Sequence, residues 1–542
     1  MSKVFLIFLF PLLISCTENK NNQPKNYEGY FQKEYGGTLK NAMVGEPNNL
    51  IAMIAGDSAS SAIAGKIFNT LLTYDENLNL TGEIAQHWEL STDKKTITFH
   101  LNSKMRWADS MPLTCKDVEY TWKVVTNPET RTPYGSDYQL VKKAECKDDQ
   151  TFVISYEEPY APALDTWATL HILPKHLLKN EDINNTFFSR NPTGSSYYSL
   201  KEWVPGQFLQ LETNENSIMG KPFIKKMTSR IIPDLSSQFM ELSAENLDFM
   251  SINPIQYKRI FPERRDLNIN YQLNKELGNG YTYFGFNLQK KPFDNINIRK
   301  AIDLAINKQE IIDGVLLGLG FEITSPYKPE TFWYNNNINK TDFNPVKAKE
   351  LIESEGYKLN KDNIYSKNGE LLKFEILTNQ NKQREMTAVL IQRRLKEIGI
   401  DVSIRVLEWA SFINQYIKTG DFESVVLGWS LSLDPDQFNI WHSTQNGPGQ
   451  FNFINYKNKY VDNLLEMGRK ELDRKKRKQI YDEFSKIIYD EKPVIFLYAG
   501  YGLNAIHKRI KGIKNPPPPA GTFHFMEKNW YIPHKFTRNE IN

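Results

Sequence analysis

Cysteine is nearly missing from this chain: among 542 residues only Cys16, Cys115 and Cys146 carry a thiol. No CxxC pair and no HExxH spacing occurs. The eight histidines (His87, His100, His171, His176, His442, His507, His524 and His534) are scattered. A zinc or iron centre assembled from sequence neighbours is therefore not expected, and no metal or other cofactor is assigned. No GxSxG elbow is present, and no GxGxxG follows a strand. Gly65-Lys66 looks superficially like the end of a phosphate loop. However, Ser60 stands where glycine is needed, and Ile67 replaces the Ser or Thr that would hold magnesium. Charge of one sign is lacking too: 67 basic against 64 acidic residues give +3, too little for a nucleic-acid partner. After the first residues no apolar run approaches the ~20 positions of a membrane span. Asp434-Pro435-Asp436 offers paired carboxylates for acid–base work. Such pairs around a proline more often cap a turn, so no catalytic residue is expected.

The one apolar run that is present lies at the start. Met1-Ser2-Lys3 supplies a positive charge, residues 4–14 are almost wholly apolar, and small Ser15 follows. This is the pattern of an export signal. Cys16 directly after Ser15 resembles a bacterial lipobox. The resemblance implies cleavage before Cys16, its lipidation, and a body tethered outside the cytoplasm. Residues 1–15 are thus expected as a lipoprotein signal peptide. Residues 16–36, rich in Asn, Lys and Gln, read as a flexible tether. The remainder, 40% hydrophobic and 24% charged over the full sequence, suits several domains or two large lobes without disulfide staples. An oxidising compartment permits Cys115 and Cys146 to pair, but nothing in the sequence brings them together.

Periodicity supplies the elements. Ile97, Phe99 and Leu101 alternate with polar neighbours as a half-buried strand, and Phe152, Ile154 and Tyr156 repeat the pattern. Residues 116–125 read as a helix stopped by Asn127-Pro128. Residues 207–213 read as a strand after the Pro205-Gly206 turn. Residues 295–317 are strongly helical, with a restart at Asn307, whose Glu310 stands three positions on as in a capping box. Between 371 and 429 the pattern is strand, helix, strand, short helix, strand with tight connections. That order implies parallel pairing with right-handed crossovers. Ligands of such sheets bind beyond the carboxyl ends of the strands, where Trp409 and residues 429–442 fall. Ile480, Phe484, Ile487 and Ile488 mark a late helix, with Arg474-Lys475-Lys476-Arg477 as its solvated face. A strand at 494–498 follows, and Pro516 to Pro519 form a stiff extended run.

Several ordered segments resemble the bacterial family-5 extracytoplasmic solute-binding proteins of ABC importers. They include Phe68-Asn69-Thr70-Leu71-Leu72-Thr73-Tyr74-Asp75, Ile84-Ala85-Gln86-His87-Trp88, Trp107-Ala108-Asp109-Ser110-Met111-Pro112-Leu113-Thr114 and Trp203-Val204-Pro205-Gly206-Gln207. Later in the chain come Phe286-Asn287-Leu288, Ile298-Arg299-Lys300-Ala301-Ile302 and Gly428-Trp429 with Asp434-Pro435-Asp436. The match runs from about residue 39 to 533. The resemblance implies an α/β, two-lobed periplasmic-binding-protein-like fold of type II with an enlarged first lobe. Lobe 1 would span 37–283 with an inserted subdomain, lobe 2 would span 284–495, and residues 496–542 would return to lobe 1. Interlobe crossings are expected at 284–287 and 494–498. The implied function is capture of a solute, most often an oligopeptide, and delivery to an ABC permease in the inner membrane. The protein would be a lipid-anchored monomer that catalyses nothing. A sugar, an opine-like compound or a chelated metal would be the alternative cargo, with an exported hydrolase more remote.

The resemblance also marks departures. In peptide-binding relatives an aspartate four positions after the glycine of Gly-Trp pairs with the ligand's amino terminus; here Ser432 occupies that place. Asp434 is the available substitute. The usual Gly-Thr-Gly-Pro-Tyr reads Gly194-Ser195-Ser196-Tyr197-Tyr198. Trp409, Trp429 and Trp441 are candidate pocket aromatics. Asp57 and Ser58, before a helix that Ser58 or Ser60 would cap, and Asn452 complete the expected ligand-binding set.

Overall fold

The computed structural model describes residue 27 and residues 29–278, 280–514 and 527–538. The export signal, Cys16 and the run from Pro516 to Pro519 lie outside the described residues. Residues 1–31 separate from the rest as a unit of their own, and the fold below is that of residues 32 onward. Among the described residues no helix is long and apolar enough to cross a membrane.

Lobe 1 opens with strand β1 (Thr38–Met43) and helix α1 (Ser58–Ile67). Asp57, rather than the expected Ser58 or Ser60, caps α1: its Oδ1 accepts from Ser60 N at 3.0 Å. The inserted part is a four-stranded antiparallel sheet of β2 (Ala85–Leu90), β3 (Thr96–Leu101), β4 (Val141–Cys146) and β5 (Thr151–Tyr156), in the order β2-β3-β5-β4. Helix α2 (Cys115–Thr126) lies beside it, started by a reciprocal box between Thr114 and Asp117. The alternation read in the sequence is kept. Ile97, Phe99 and Leu101 face Phe152, Ile154 and Tyr156 in a core around Trp167. The first residue of α2 meets the last of β4, and Cys115–Cys146 form a disulfide with Cα atoms 5.7 Å apart. Sequence left this open because the contact depends on where α2 crosses the sheet edge.

The main sheet runs through both lobes. Lobe 1 contributes β6 (Tyr198–Val204), β7 (Phe208–Thr213), β8 (Lys226–Ile231), β9 (Phe249–Ser251) and β10 (Tyr271–Leu277). Lobe 2 begins with β11 (Gly280–Phe286) and helices α3 (Ile296–Ala305) and α4 (Lys308–Gly314). Asn307 caps α4 by accepting from Glu310 N, as expected. The box is only half formed, because the Glu310 carboxylate reaches Arg393 and Arg394 instead. The predicted alternation then appears as β12 (Lys373–Asn379), α5 (Lys382–Glu397), β13 (Asp401–Leu407), a short turn of helix from Trp409, and β14 (Ser424–Ser430). Strands β13 and β14 flank β12, both parallel to it, as right-handed crossovers require. Helices α6 (Lys459–Lys470) and α7 (Arg474–Glu491) and strand β15 (Val494–His507) follow. The strand order is β13-β12-β14-β11-β15-β9-β1-β8-β7-β6, with β10 also paired to β15.

The central strands of lobe 2, β11 and β14, are covered on both faces and read as mostly apolar runs, whereas edge strand β13 alternates. Phe284, Phe286 and Val426 join the α3 and α5 stripes on one side. Tyr281, Tyr283, Val425 and Leu427 join α6 and α7 on the other. The chain end seals lobe 1: Arg509 Nε and Nη2 donate to Asp248 at 2.7 and 2.6 Å, and both residues are buried.

The disulfide closes a loop of separation 31, and such a loop removes about 3–4 kcal/mol of chain entropy from the unfolded state. The double variant Cys115→Ser/Cys146→Ser should lower the unfolding free energy by about 3 kcal/mol in denaturant titration. Dithiothreitol should then have no further effect.

Candidate functional site: the interlobe cleft

Two chain crossings join the lobes. One lies between β10 and β11. The other lies inside β15, whose residues 494–498 pair with β11 and whose residues 501–507 pair with β10. The expected crossing at 284–287 therefore falls inside the lobe 2 sheet, several residues past the actual link. The expected crossing at 494–498 likewise belongs to lobe 2 pairing. Sequence periodicity continued through β11 and β15 and gave no sign of the change of partner. The crossing is crowded: a Cβ at Gly280 would stand 2.4 Å from Trp429 O. Buried Lys328 donates to the Leu277 carbonyl at 3.0 Å beside the link. Burial lowers its ammonium pKa to about 8.

The lobes touch across the cleft at three places. At the first, Asp57 receives Ser60 Oγ at 2.6 Å and Asn48 Nδ2 at 3.1 Å, and Trp409 Nε1 of lobe 2 points at Oδ1 from 3.5 Å. Asn414 Nδ2 donates to Asn48 Oδ1 at 2.8 Å. The Trp409 ring lies on Gly45 so closely that a Cβ there would come within 2.7 Å of it. At the second, the ring of Tyr134 meets Phe451 edge-on at 5.3 Å. Phe451 in turn packs on Trp429 at 5.2 Å.

The third contact is ionic. Each carboxylate of Asp434-Pro435-Asp436 is held by a different buried arginine behind it. Arg477 of α7 donates to both Asp434 oxygens at 2.6 and 2.7 Å, and Arg469 of α6 donates to Asp436 Oδ2 at 2.8 Å. Each pair also faces an acid of lobe 1. Arg469 pairs with Asp137, and Asn439 Nδ2 donates to Asp137 Oδ2 at 2.7 Å. Asp165, hydrogen-bonded to Tyr74, feels Asp434 and Arg477. Burial, together with the like charges of Asp436 and Asp434 respectively, raises the Asp137 and Asp165 pKa values to about 6. Arg469 only partly offsets this for Asp137.

Just beyond the carboxyl end of β12, in the first turn of α5, stands Arg384. Its Nη1 donates to Asn379 Oδ1 at 2.8 Å. Its surroundings are Tyr283, Tyr498 and Gly428, and burial lowers its pKa. No carboxylate among the described residues pairs with it. A crowded, unneutralised guanidinium that keeps some contact with solvent suits an anionic group of a ligand. The sequence analysis missed Arg384, which reads as one more polar residue in the first turn of α5. The signal was its place directly after a parallel strand.

The expected residues divide. Asp57, Trp409 and Trp429 stand at the cleft, with Trp409 and Trp429 half-buried. Ser58 is exposed, and Ser432 is exposed with its Oγ donating to Asp434 O at 2.9 Å. Asp434 cannot serve as the free carboxylate for an amine, since Arg477 already neutralises it in a bidentate pair. Arg477 itself departs from the solvated face expected of its charge run. Trp441 belongs to the lobe 2 interior against Tyr456 and Phe484. It lines only a cavity of about 10 Å³ with Trp429, Phe451 and Phe453, scarcely one water's room. Asn452 is fully buried and clamps its own loop through His442 O, Tyr456 O and Tyr456 N. Asn and Trp look alike in sequence whether they face a cleft or a core, so these two were misplaced. A cavity of about 430 Å³ opens elsewhere on lobe 2, beside Gly318, Phe321 and Lys340, and holds none of the interlobe contacts.

Gly45→Ala puts a methyl group into the Trp409 ring only when the lobes are shut. The shut population, read from the distance between fluorophores on the two lobes, should fall about tenfold, or 1.4 kcal/mol. Trp409→Ala in the same chain should restore it. The Asp137 proton should add a pH dependence. Its pKa is about 6 with the lobes shut, against an ordinary 3.8 in water, so the shut form binds the proton more tightly and acid favours closure. Asp165 is raised in the same way, so closure should strengthen at least tenfold from pH 7 to pH 5, Asp137→Asn should reduce that dependence, and Asp137→Asn with Asp165→Asn should flatten it.

Comparison with known proteins agrees with this architecture. A model described as bacterial extracellular solute-binding proteins, family 5 Middle, matches residues 79–451. The oligopeptide-binding protein AppA of Bacillus subtilis (strain 168) is 31% identical over 538 residues, 97% of each chain. The dipeptide-binding protein of Escherichia coli (strain K12) is 25% identical over 470 residues, covering 82% of this chain and 84% of its own. Among solved structures, Bacillus subtilis AppA in complex with a nonapeptide has a TM-score of 0.87 at 29% identity, covering 92% of this chain and 100% of that one. NikZ from Campylobacter jejuni in complex with Ni(L-His) has a TM-score of 0.83 at 25% identity, covering 93% and 100%. The family model matches more than half of the chain, identity and superposition extend over nearly all of it, and the chain belongs to the bacterial extracellular solute-binding proteins of family 5.

Proposed function

We propose that this chain captures oligopeptides between its two lobes and hands them to an ABC importer. The observation that carries the reading is the crevice itself: two lobes hinged on one shared strand, with an unneutralised Arg384 just beyond the carboxyl end of β12. The relative that matches over 97% of its length is an oligopeptide-binding protein, and the solved form of that relative holds a nonapeptide. A peptide has a backbone for both lobes to bond and a terminal carboxylate for Arg384. Contact with both lobes is what a closing device needs, because only a ligand that favours the shut form shifts the equilibrium. A micromolar peptide releases about 8 kcal/mol, ample to offset ordering of the hinge.

The same reading includes the finer points of location and assembly. Ser15 and Cys16 at the end of the apolar run support a lipid anchor on Cys16, with the body outside the cytoplasm. A monomer that docks on its permease in the shut form completes the scheme.

Calorimetry with synthetic peptides of graded length tests the reading. Peptides of a preferred length should bind at micromolar concentration or tighter and raise the melting temperature. Amidation of the C-terminus should weaken them about tenfold, and Arg384→Met should abolish the difference between acid and amide. No binding by any peptide would refute peptide capture, and equal loss of both forms in Arg384→Met would remove Arg384 as the anchor.

A further inference from the structure

A second cluster lies outside the cleft, on the exposed face of the inserted sheet of lobe 1. His87 and Glu89 are two residues apart on β2 and so share a face. The register sets His100 of β3 opposite His87. The two imidazoles stack with centroids 4.3 Å apart and planes at 15°. Glu89 Oε1 stands 3.6 Å from His100 Nε2, and that nitrogen is closed off from water and makes no hydrogen bond. One ligand atom from each of the three residues lies within 4.8 Å of the other two. Among the described residues none of the three takes part in the interlobe contacts or the hinge.

Two imidazoles and one carboxylate form a donor set of borderline softness, suited to Zn²⁺, Ni²⁺ or Cu²⁺ rather than Mg²⁺ or Ca²⁺. Three protein ligands leave one position open, as at metal sites that also bind water or a second molecule. Donor atoms around a tetrahedral zinc lie roughly 3.3 Å apart, given bonds of about 2.0 Å. The present spacing of up to 4.8 Å is wider than this by about 1.5 Å, so binding requires the side chains to turn toward the ion. The backbone beneath them is fixed. Phe99, next to His100, is buried in the sheet core. Thr151, paired with His100, lies beside Phe152, which pairs with disulfide-bonded Cys146. Asp148, on the turn between β4 and β5, adds a carboxylate close enough to sense His100.

We propose that His87, Glu89 and His100 form a surface site for one borderline divalent transition-metal ion, separate from the solute cleft. The site follows from strand register: HxE on one strand offers two donors, and the opposite strand supplies the third. Sequence spacing alone, with twelve positions between the histidines, does not reveal it.

The test is titration of the EDTA-stripped full chain with ZnCl₂ by calorimetry, alongside His87→Ala, Glu89→Gln, His100→Ala and, as a control, His176→Ala. The wild type and the control should bind one zinc per chain. Each histidine variant should weaken binding at least tenfold, with an unchanged melting curve in EDTA. Independent of any variant, zinc should shield His87 and His100 from diethylpyrocarbonate, read by mass spectrometry. Absence of zinc binding by the wild type, unchanged affinity in all three variants, or undiminished labelling of both histidines would each overturn the proposal.

Discussion

Everything the cleft does depends on one strand of the main sheet being paired into both lobes. Residues 494–498 of β15 are bonded into lobe 2 and residues 501–507 into lobe 1. Between them Ala499 and Gly500 pair with Phe321 and Gly320, so the change of lobe falls at the step from Gly500 to Tyr501, beside the link after β10. Rotation of one lobe against the other is therefore confined to a narrow band, while each half keeps its own backbone bonds. This is the mechanical condition for hinge closure: large torsional change in a few residues and almost none elsewhere. A hinge built from a looser linker would permit motion but would not return the two faces to the same register.

Closure is also kept marginal. The contacts at the cleft mouth are mostly single polar bonds between partly solvated groups, such as Asn414 with Asn48 and Ser136 with Asn439. The Lys470–Glu158 pair is exposed on both sides. Such interactions contribute from nothing to about 1 kcal/mol each. The buried contact, Arg469 with Asp137, comes with two carboxylates competing for one guanidinium. The shut form is thus neither locked nor abandoned without cargo, and the balance is left for the ligand to decide.

Most of the fold was legible in the sequence because its signals were local. The strand–helix–strand–helix–strand run of lobe 2 announced parallel pairing, and the alternation of residues 97–101 and 152–156 announced half-buried strands. Asn307 announced a helix start. What was not legible depends on register and on contact between distant segments: the Cys115–Cys146 bond, the change of partner along β15, and the lack of a carboxylate beside Arg384. The cleft was legible only by place. Trp409 and Asp57, which follow a strand and precede a helix, meet each other between the lobes, whereas Trp441 and Asn452 carry the same chemistry but lie inside lobe 2. Asp434 shows the limit most clearly, for its value as a free carboxylate is cancelled by Arg477, forty-three positions on.

That arrangement behind Asp434 and Asp436 separates two duties that a single loop might have had to share. The carboxylates are gripped from the rear by α6 and α7, so the shape of the loop does not rest on whatever side chain projects from its tip. Ser432 projects there, exposed and bonded only to the backbone of its own turn. A substitution at that tip therefore leaves untouched the ion pairs that hold the loop and bring the two halves together.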